Sequence, residues 1–320
     1  MQEPQRHPLD ATAVGLMLLL TMLWGLSQVA IKLAMHGVSP VAQGALRSLL
    51  ATLLLLGWAR LRGIPLFGRD GTLAGGLAAG LLFAAEFGFV YAGLAHTTAS
   101  RMVVFVYLAP ILTALGLAWL VPGEKLAPVQ WAGVLLAFCG LLLAFVDGFL
   151  APGRATLWGD ACGAAAAVLW TATTLTVRRT RLNTASAEKT LLYQLAVSAA
   201  LLPAVAWLLG EPGVIKVDGA VVASLLFQAV IVAFASYLAW FWLLTRYLAG
   251  RLAVFSFLAP MFGVAFGVLI LGEPLTPKFV AAALLVGAGI GLVNLRRAPQ
   301  SAPGPRIARA GEGGNGRRGG

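Results

Sequence analysis

Residues 101–125 read "RMVVFVYLAPILTALGLAWLVPGEK", and residues 251–275 read "RLAVFSFLAPMFGVAFGVLILGEPL". An Arg, an aromatic-rich run, Leu-Ala-Pro, an apolar stretch and Gly-Glu recur about 150 residues apart, so that Arg101, Tyr107, Pro110 and Glu124 align with Arg251, Phe257, Pro260 and Glu273. Each copy has the length of one membrane span, since roughly 20 apolar residues cross a hydrocarbon layer of about 30 Å. Hydrophobic residues make up 59% of the 320-residue chain and charged residues only 11%. A soluble domain does not need that much apolar surface, whereas a bilayer does. The apolar runs are far longer than barrel strands, and a helix satisfies its own backbone in lipid. The expected fold is an all-α integral membrane protein.

Punctuation by polar residues, Pro and Gly places ten transmembrane helices near 13–35, 41–59, 72–94, 101–121, 128–146, 157–177, 188–209, 220–244, 251–271 and 277–295. With the N-terminus in the cytoplasm, 17 of the 23 Lys and Arg fall on the inner side and 5 on the outer side, while Arg47 lies within a span. This asymmetry predicts that both termini are cytoplasmic. Residues 1–12 form a short N-terminal segment. Residues 296–320, rich in Pro, Gly and Arg, have almost nothing to bury and are expected to be a disordered basic tail. The net charge of +11 therefore points to anionic lipid headgroups and away from nucleic acid. Cys139 and Cys162 fall inside spans and read as buried structural thiols.

The duplication extends beyond one helix. Tyr91 and Glu86 correspond to Phe241 and Ser236, and "LWGLSQVAIK" from Leu23 corresponds to "LWTATTLTVR" from Leu169. Residues 13–146 and 157–295 thus form two repeats of five spans each, and an odd number of spans turns the second copy upside down. Inverted repeats of this kind mark secondary transporters, with a substrate site near the midplane where the halves meet.

These features together resemble an EamA-type member of the drug/metabolite transporter superfamily: two five-span halves, "LWG" in span one, Arg47 in span two, two "LAP" helices, and the turns Gly123-Glu124 and Gly272-Glu273. The resemblance covers all but the tail. It implies carriage of amino acids and other small metabolites, often outward, through a central cavity, with neither ATP nor a bound cofactor.

Ionisable groups inside a bilayer are costly and so are functional candidates. Counting 1.5 Å per residue from the span ends places Arg47 about 9 Å and Glu86 about 12 Å below one membrane boundary. Gln28 and Tyr107 fall at about 9–11 Å on the same count. Thr21, Trp24, Gln28 and Lys32 make a polar stripe at helical spacing, partly echoed by Trp170, Thr171, Thr174 and Arg178. Arg47 and Glu86 read equally as a structural ion pair or as partners for an amino-acid-like zwitterion. Alternatively, Glu86 accepts a coupling proton. The second repeat lacks these charges and offers a neutral, aromatic wall of Trp170, Tyr193, Gln194, Gln228, Ser236, Tyr237 and Trp240. The expected substrate contacts are Trp24, Gln28, Arg47, Glu86, Tyr107, Trp170, Ser236 and Tyr237, with Pro110 and Pro260 as hinges. The Gly-Glu turns read as structural helix ends.

"GAGIG" at 287–291 imitates a nucleotide fingerprint but has no strand before it. Close helix packing through Gly287 and Gly291 is the better reading. No Walker A lysine loop occurs, and His7, His36 and His96 are scattered without metal spacing, so an enzyme is not expected. The sequence therefore predicts a secondary transporter of a small metabolite, most simply an exporter in a bacterial inner membrane, monomeric or weakly dimeric. A channel or a membrane-embedded enzyme is the alternative.

Overall fold

The computed structural model describes residues 9–68, 70–94, 96–97, 99–121, 125–146, 154–271 and 277–294. The two Gly-Glu turns and the basic tail lie outside these residues. Among those described there are thirteen α-helices and no extended strand, only an isolated bridge between Val38 and Val214. The helices are α1 (Ala11–Ala34), α2 (Pro40–Leu61), α3 (Leu73–Leu94), α4 (Ala99–Val106), α5 (Ala109–Leu120), α6 (Pro128–Phe145) and α7 (Arg154–Arg179). They continue with α8 (Ala187–Leu208), α9 (Gly219–Leu226), α10 (Tyr237–Arg246), α11 (Ala249–Phe255), α12 (Leu258–Leu271) and α13 (Pro277–Asn294). They compose ten stretches long and apolar enough to cross a membrane. A π-helical segment, Phe227–Ser236, joins α9 to α10 within the eighth span.

The fourth and ninth spans are each broken in two, and proline chemistry explains where. Pro110 and Pro260 have no N–H, and each ring crowds the carbonyl four residues back, on Val106 and Ser256. Val106 is the last residue of α4, and Ser256 directly follows α11. The chain crosses both breaks on tighter three-residue bonds, Leu108 N to Phe105 O at 3.1 Å and Phe257 N to Val254 O at 3.2 Å. Proline alone does not force this outcome, because α8 runs through Pro203 unbroken.

Backbone contact through glycine sets the main helix pairs. A Cβ on Gly25, in the "LWG" of α1, would lie 2.7 Å from the Ala259 carbonyl and the Gly263 amide, so α1 and α12 touch there. In α6 and α13, a Cβ on Gly133 would meet Gly289 O at 2.6 Å, and one on Gly140 would meet Ala282 O at 2.8 Å. These two helices are therefore antiparallel, and Gln130 Nε2 completes the seam by donating to Val293 O at 2.8 Å. This corrects the reading of "GAGIG". Gly287 and Gly291 have open space beside them, and Gly289, on the other side of the helix, makes the contact. Cys139 is also corrected: it is exposed on α6, among lipid-facing residues such as Leu135, while Cys162 is buried.

Further pairs include α3 on α7 and α8, α2 on α8, α4 and α5 on α7, and α1 and α2 on the π-helical span. One large apolar cluster links all ten spans except the third's far end. There a satellite cluster of Val41, Ala45, Tyr91, Leu202 and Ala206 packs with Phe87.

Gly289→Leu is expected to drive a side chain into the α6 backbone and to destabilise the detergent-purified protein by about 1–3 kcal/mol, the range typical of overpacking, read as a lower melting temperature. Gly287→Leu, two residues away, should change stability by no more than about 0.5 kcal/mol and leave the melting temperature close to wild type.

Candidate functional site

Arg47 and Glu86 come together from α2 and α3. Both are buried, at 2% and 6% exposure. They lie within electrostatic reach of each other, and both also reach Tyr237. No ion pair joins them. The Arg47 guanidinium carbon instead sits 4.3 Å from the Phe87 ring centroid. Arg47 Nε and Nη2 and Glu86 Oε2 have no hydrogen-bond partner in the protein. A cation over a ring face is worth up to about 2 kcal/mol when desolvated, too little to replace the hydrogen bonds that two buried charges lose.

Aromatic rings surround this pair. Phe83, Phe87 and Tyr91 form a ladder at four-residue spacing on α3, with centroids 5.0 Å and 6.1 Å apart. Phe83 stands edge-on to Tyr237 at 6.1 Å and lies 6.5 Å from Trp170. Tyr237 in turn meets Trp24 at 6.4 Å, and Trp24 Nε1 donates to Ser236 Oγ at 2.9 Å. Tyr107, at the break between α4 and α5, faces Phe257 at 6.3 Å, and Phe257 sits at the equivalent break in the ninth span. Tyr107 also lies within electrostatic reach of Tyr237. Gly44, one turn before Arg47, lets Tyr91 lie against α2, since a Cβ there would meet its ring at 3.2 Å.

The structure therefore gathers Trp24, Arg47, Glu86, Tyr107, Trp170, Ser236 and Tyr237 into one region. The side chain of Gln28 lies outside the described residues. Trp240 joins them through Trp24, at 5.8 Å between ring centroids, whereas Tyr193 and Gln228 do not. The Tyr193 hydroxyl is 3.1 Å from that of Thr72, at the far end of the bundle. Gln228 Nε2 donates to Gln43 Oε1 at 3.2 Å, so it ties the π-helical span to α2. The polar stripes are largely spent on structure: Thr21 donates to Met17 O at 2.8 Å, and Thr171 bridges to Ala109 O at 3.3 Å. Phe83, Phe87 and Tyr91 were not anticipated as a site wall, although their spacing was visible in the sequence.

The ten-span fold has known counterparts. The family model for the EamA-like transporter family matches residues 11–146 and again 157–295. The chain belongs to this family. An EamA-like protein of Salmonella typhimurium named "Probable amino-acid metabolite efflux pump" is 27% identical over 285 residues, covering 86% of this chain and 92% of that protein. The "Uncharacterized transporter YvbV" of Bacillus subtilis is 26% identical, covering 92% of this chain and 95% of its own. A solved crystal structure matches the fold with a TM-score of 0.76 at 23% identity, over 89% of this chain and 98% of that one. This EamA-like chain is a multi-pass membrane transporter and not an enzyme.

Both ends of the EamA-like bundle are fastened. At one end a Cβ on Gly37 would lie 2.2 Å from the Lys216 carbonyl, so the α1–α2 turn and the α8–α9 connection touch by backbone. Ile215 N donates to Gly37 O at 2.7 Å, and Ser39 N to Gly213 O at 2.9 Å. The Glu211 carboxylate accepts from Ser39 Oγ at 2.7 Å and from Val41 N at 3.0 Å, capping α2 from another helix's end. At the opposite end Lys189 Nζ donates to Asp70 Oδ2 at 2.7 Å and to Gly68 O at 3.2 Å. Lys189, followed by Thr72, holds the Asp70 carboxyl well below the usual range. Because α8 contributes Lys189 at one end and Glu211 follows it at the other, α2 and α8 run antiparallel.

Asp218 caps α9 through the Val221 amide at 3.0 Å and meets His36 Nε2 at 2.8 Å. The Val221 amide first, and His36 next, hold its carboxyl down at about 2. A depressed carboxylate stabilises the fold above its unfolded value of about 3.9, and this contribution disappears as pH falls towards the folded value. Melting of the wild type should therefore show no loss from this cap between pH 7 and 5, then a fall below about pH 4. Asp218→Ala should remove that acid-dependent step and lower the melting temperature at neutral pH.

Proposed function

We propose that this chain is a secondary transporter that carries an amino-acid-like zwitterion across the bacterial inner membrane by alternating access, in the outward direction. The observation that carries the reading is the unpaired state of Arg47 and Glu86. Opposite charges buried together without a salt bridge leave a guanidinium edge and a carboxylate oxygen unsatisfied. A ligand bearing both a carboxylate and an ammonium satisfies both at once. The apolar part of such a ligand would lie against Phe83, Trp170 and Tyr237. The name of the Salmonella typhimurium relative supports the same substrate class and direction.

Alternating access rests on the paired halves. The antiparallel placement of α2 with α8, and of α6 with α13, supports reading residues 13–146 and 157–295 as inverted repeats. On that reading Pro110 and Pro260 mark equivalent hinges, and the two fastened ends are the gates, one closing while the other opens. The positive charges flanking the spans favour cytoplasmic termini. The protein works with neither ATP nor a bound cofactor, as a monomer or weak homodimer.

Purified protein in liposomes, screened with neutral and aromatic amino acids, should show saturable uptake and counter-exchange. Linear, unsaturable flux would exclude a carrier. Arg47→Gln and Glu86→Gln should each weaken apparent affinity about tenfold to a hundredfold, the range for losing a hydrogen bond to a charged group. Transport by Glu86→Gln that matches wild type at every pH would remove Glu86 from both substrate binding and proton coupling.

A further inference from the structure

Two opposite charges in a protein interior attract strongly, because little solvent screens them. Arg47 and Glu86 nevertheless make no ion pair, and the group that the guanidinium meets instead is the neighbour of Glu86 in sequence. Phe87 presents its ring face to the guanidinium at 4.3 Å. That ring is clamped from both sides on its own helix, by Phe83 at 5.0 Å and Tyr91 at 6.1 Å. It also packs on the satellite cluster of Val41, Ala45, Leu202 and Ala206. Phe83 is itself fully buried and pinned edge-on to Tyr237 at 6.1 Å. Phe87 is thus a fixed platform. The unpartnered donors of Arg47 are Nε and Nη2. These two nitrogens form the side-on edge of a guanidinium, the edge that matches both oxygens of one carboxylate.

We infer that Phe87 is a positioning residue that holds Arg47 off Glu86 and keeps its side-on edge free, so that the site rests as an open ion pair selective for zwitterions. This inference rests on the substrate reading above for its ligand but not for its geometry. A simple acid on Arg47 would leave Glu86 buried and unpaired, and a simple amine on Glu86 would leave Arg47 so. Each is therefore rejected by the charge it fails to meet. Were the ring absent, the two side chains would close on each other and compete with any ligand.

The test is a set of double-substitution cycles read by melting temperature, using the full-length protein in detergent. Arg47→Gln, Glu86→Gln and their combination are made in the wild type, in Phe87→Leu and in Phe87→Tyr. Leu keeps an apolar side chain without a π face, and Tyr keeps the ring. In wild type and Phe87→Tyr, the shifts from the two substitutions should show only weak coupling, that of charges which sense each other without pairing. In Phe87→Leu they should be clearly non-additive, each single substitution breaking a pair that has formed. Equal coupling in all three backgrounds would overturn the inference, and so would coupling in Phe87→Tyr as large as in Phe87→Leu.

A second measurement separates this inference from the substrate reading. Binding of L-leucine is compared with that of 4-methylpentanoate, which lacks only the ammonium. Wild type should prefer L-leucine at least tenfold. Phe87→Leu should lose most of that preference, and Phe87→Tyr should retain it. If wild type binds neither these probes nor any amino acid of the panel, the zwitterion reading fails, while the melting cycles still decide whether the ring holds the charges apart.

Discussion

The constraint on which the structure depends is that lipid offers no hydrogen bonds to a backbone. Every span must therefore be helical except where other protein covers the interruption. The two long interruptions obey this rule. The break before Pro110 presents Tyr107, and the break before Pro260 presents Phe257, and these rings face each other inside the bundle. Thr171 adds a side-chain donor to the Ala109 carbonyl beside the first break. Irregular backbone is thus confined to the region where the polar side chains gather, so the breaks and the site share one location.

The same constraint shapes the chemistry of the two halves. Glu86 and Ser236 are equivalent in the duplicated sequence but differ in state. Ser236 accepts from Trp24 and donates to Val232 O at 2.6 Å, so its hydroxyl has partners for both its donor and an acceptor. Glu86 retains an oxygen with no partner. At this pair of equivalent positions the second half closes its hydrogen bonds within the protein, and the first half leaves one oxygen open. A duplicated sequence therefore carries an asymmetric site. The long π-helical stretch ending at Ser236 is consistent with this, since such segments concentrate at functional positions.

Much of the fold was legible in the text of the chain. Apolar runs of about 20 residues have one solution in a bilayer, and a proline in such a run has a defined effect on the carbonyl four residues back. Arg47 and Glu86 stood out because charge in a span is rare for energetic reasons. Other features carried no such signal. Glu211 looks like a loop acid, yet it caps α2 across the bundle. Gly287, Gly289 and Gly291 are alike in sequence, and only the rotation of α13 against α6 distinguishes the one that touches. Tyr193 is as aromatic as Tyr237 but sits at the far end.

From the sequence alone followed the number of spans and the duplication, because hydrophobicity and repetition are properties of the chain itself. Whether Arg47 and Glu86 pair could not follow, because that depends on what stands between them in three dimensions. The α3 ladder brings Phe87 under the guanidinium, and the competition between ring and carboxylate for one cation is a matter of distances that no local rule encodes.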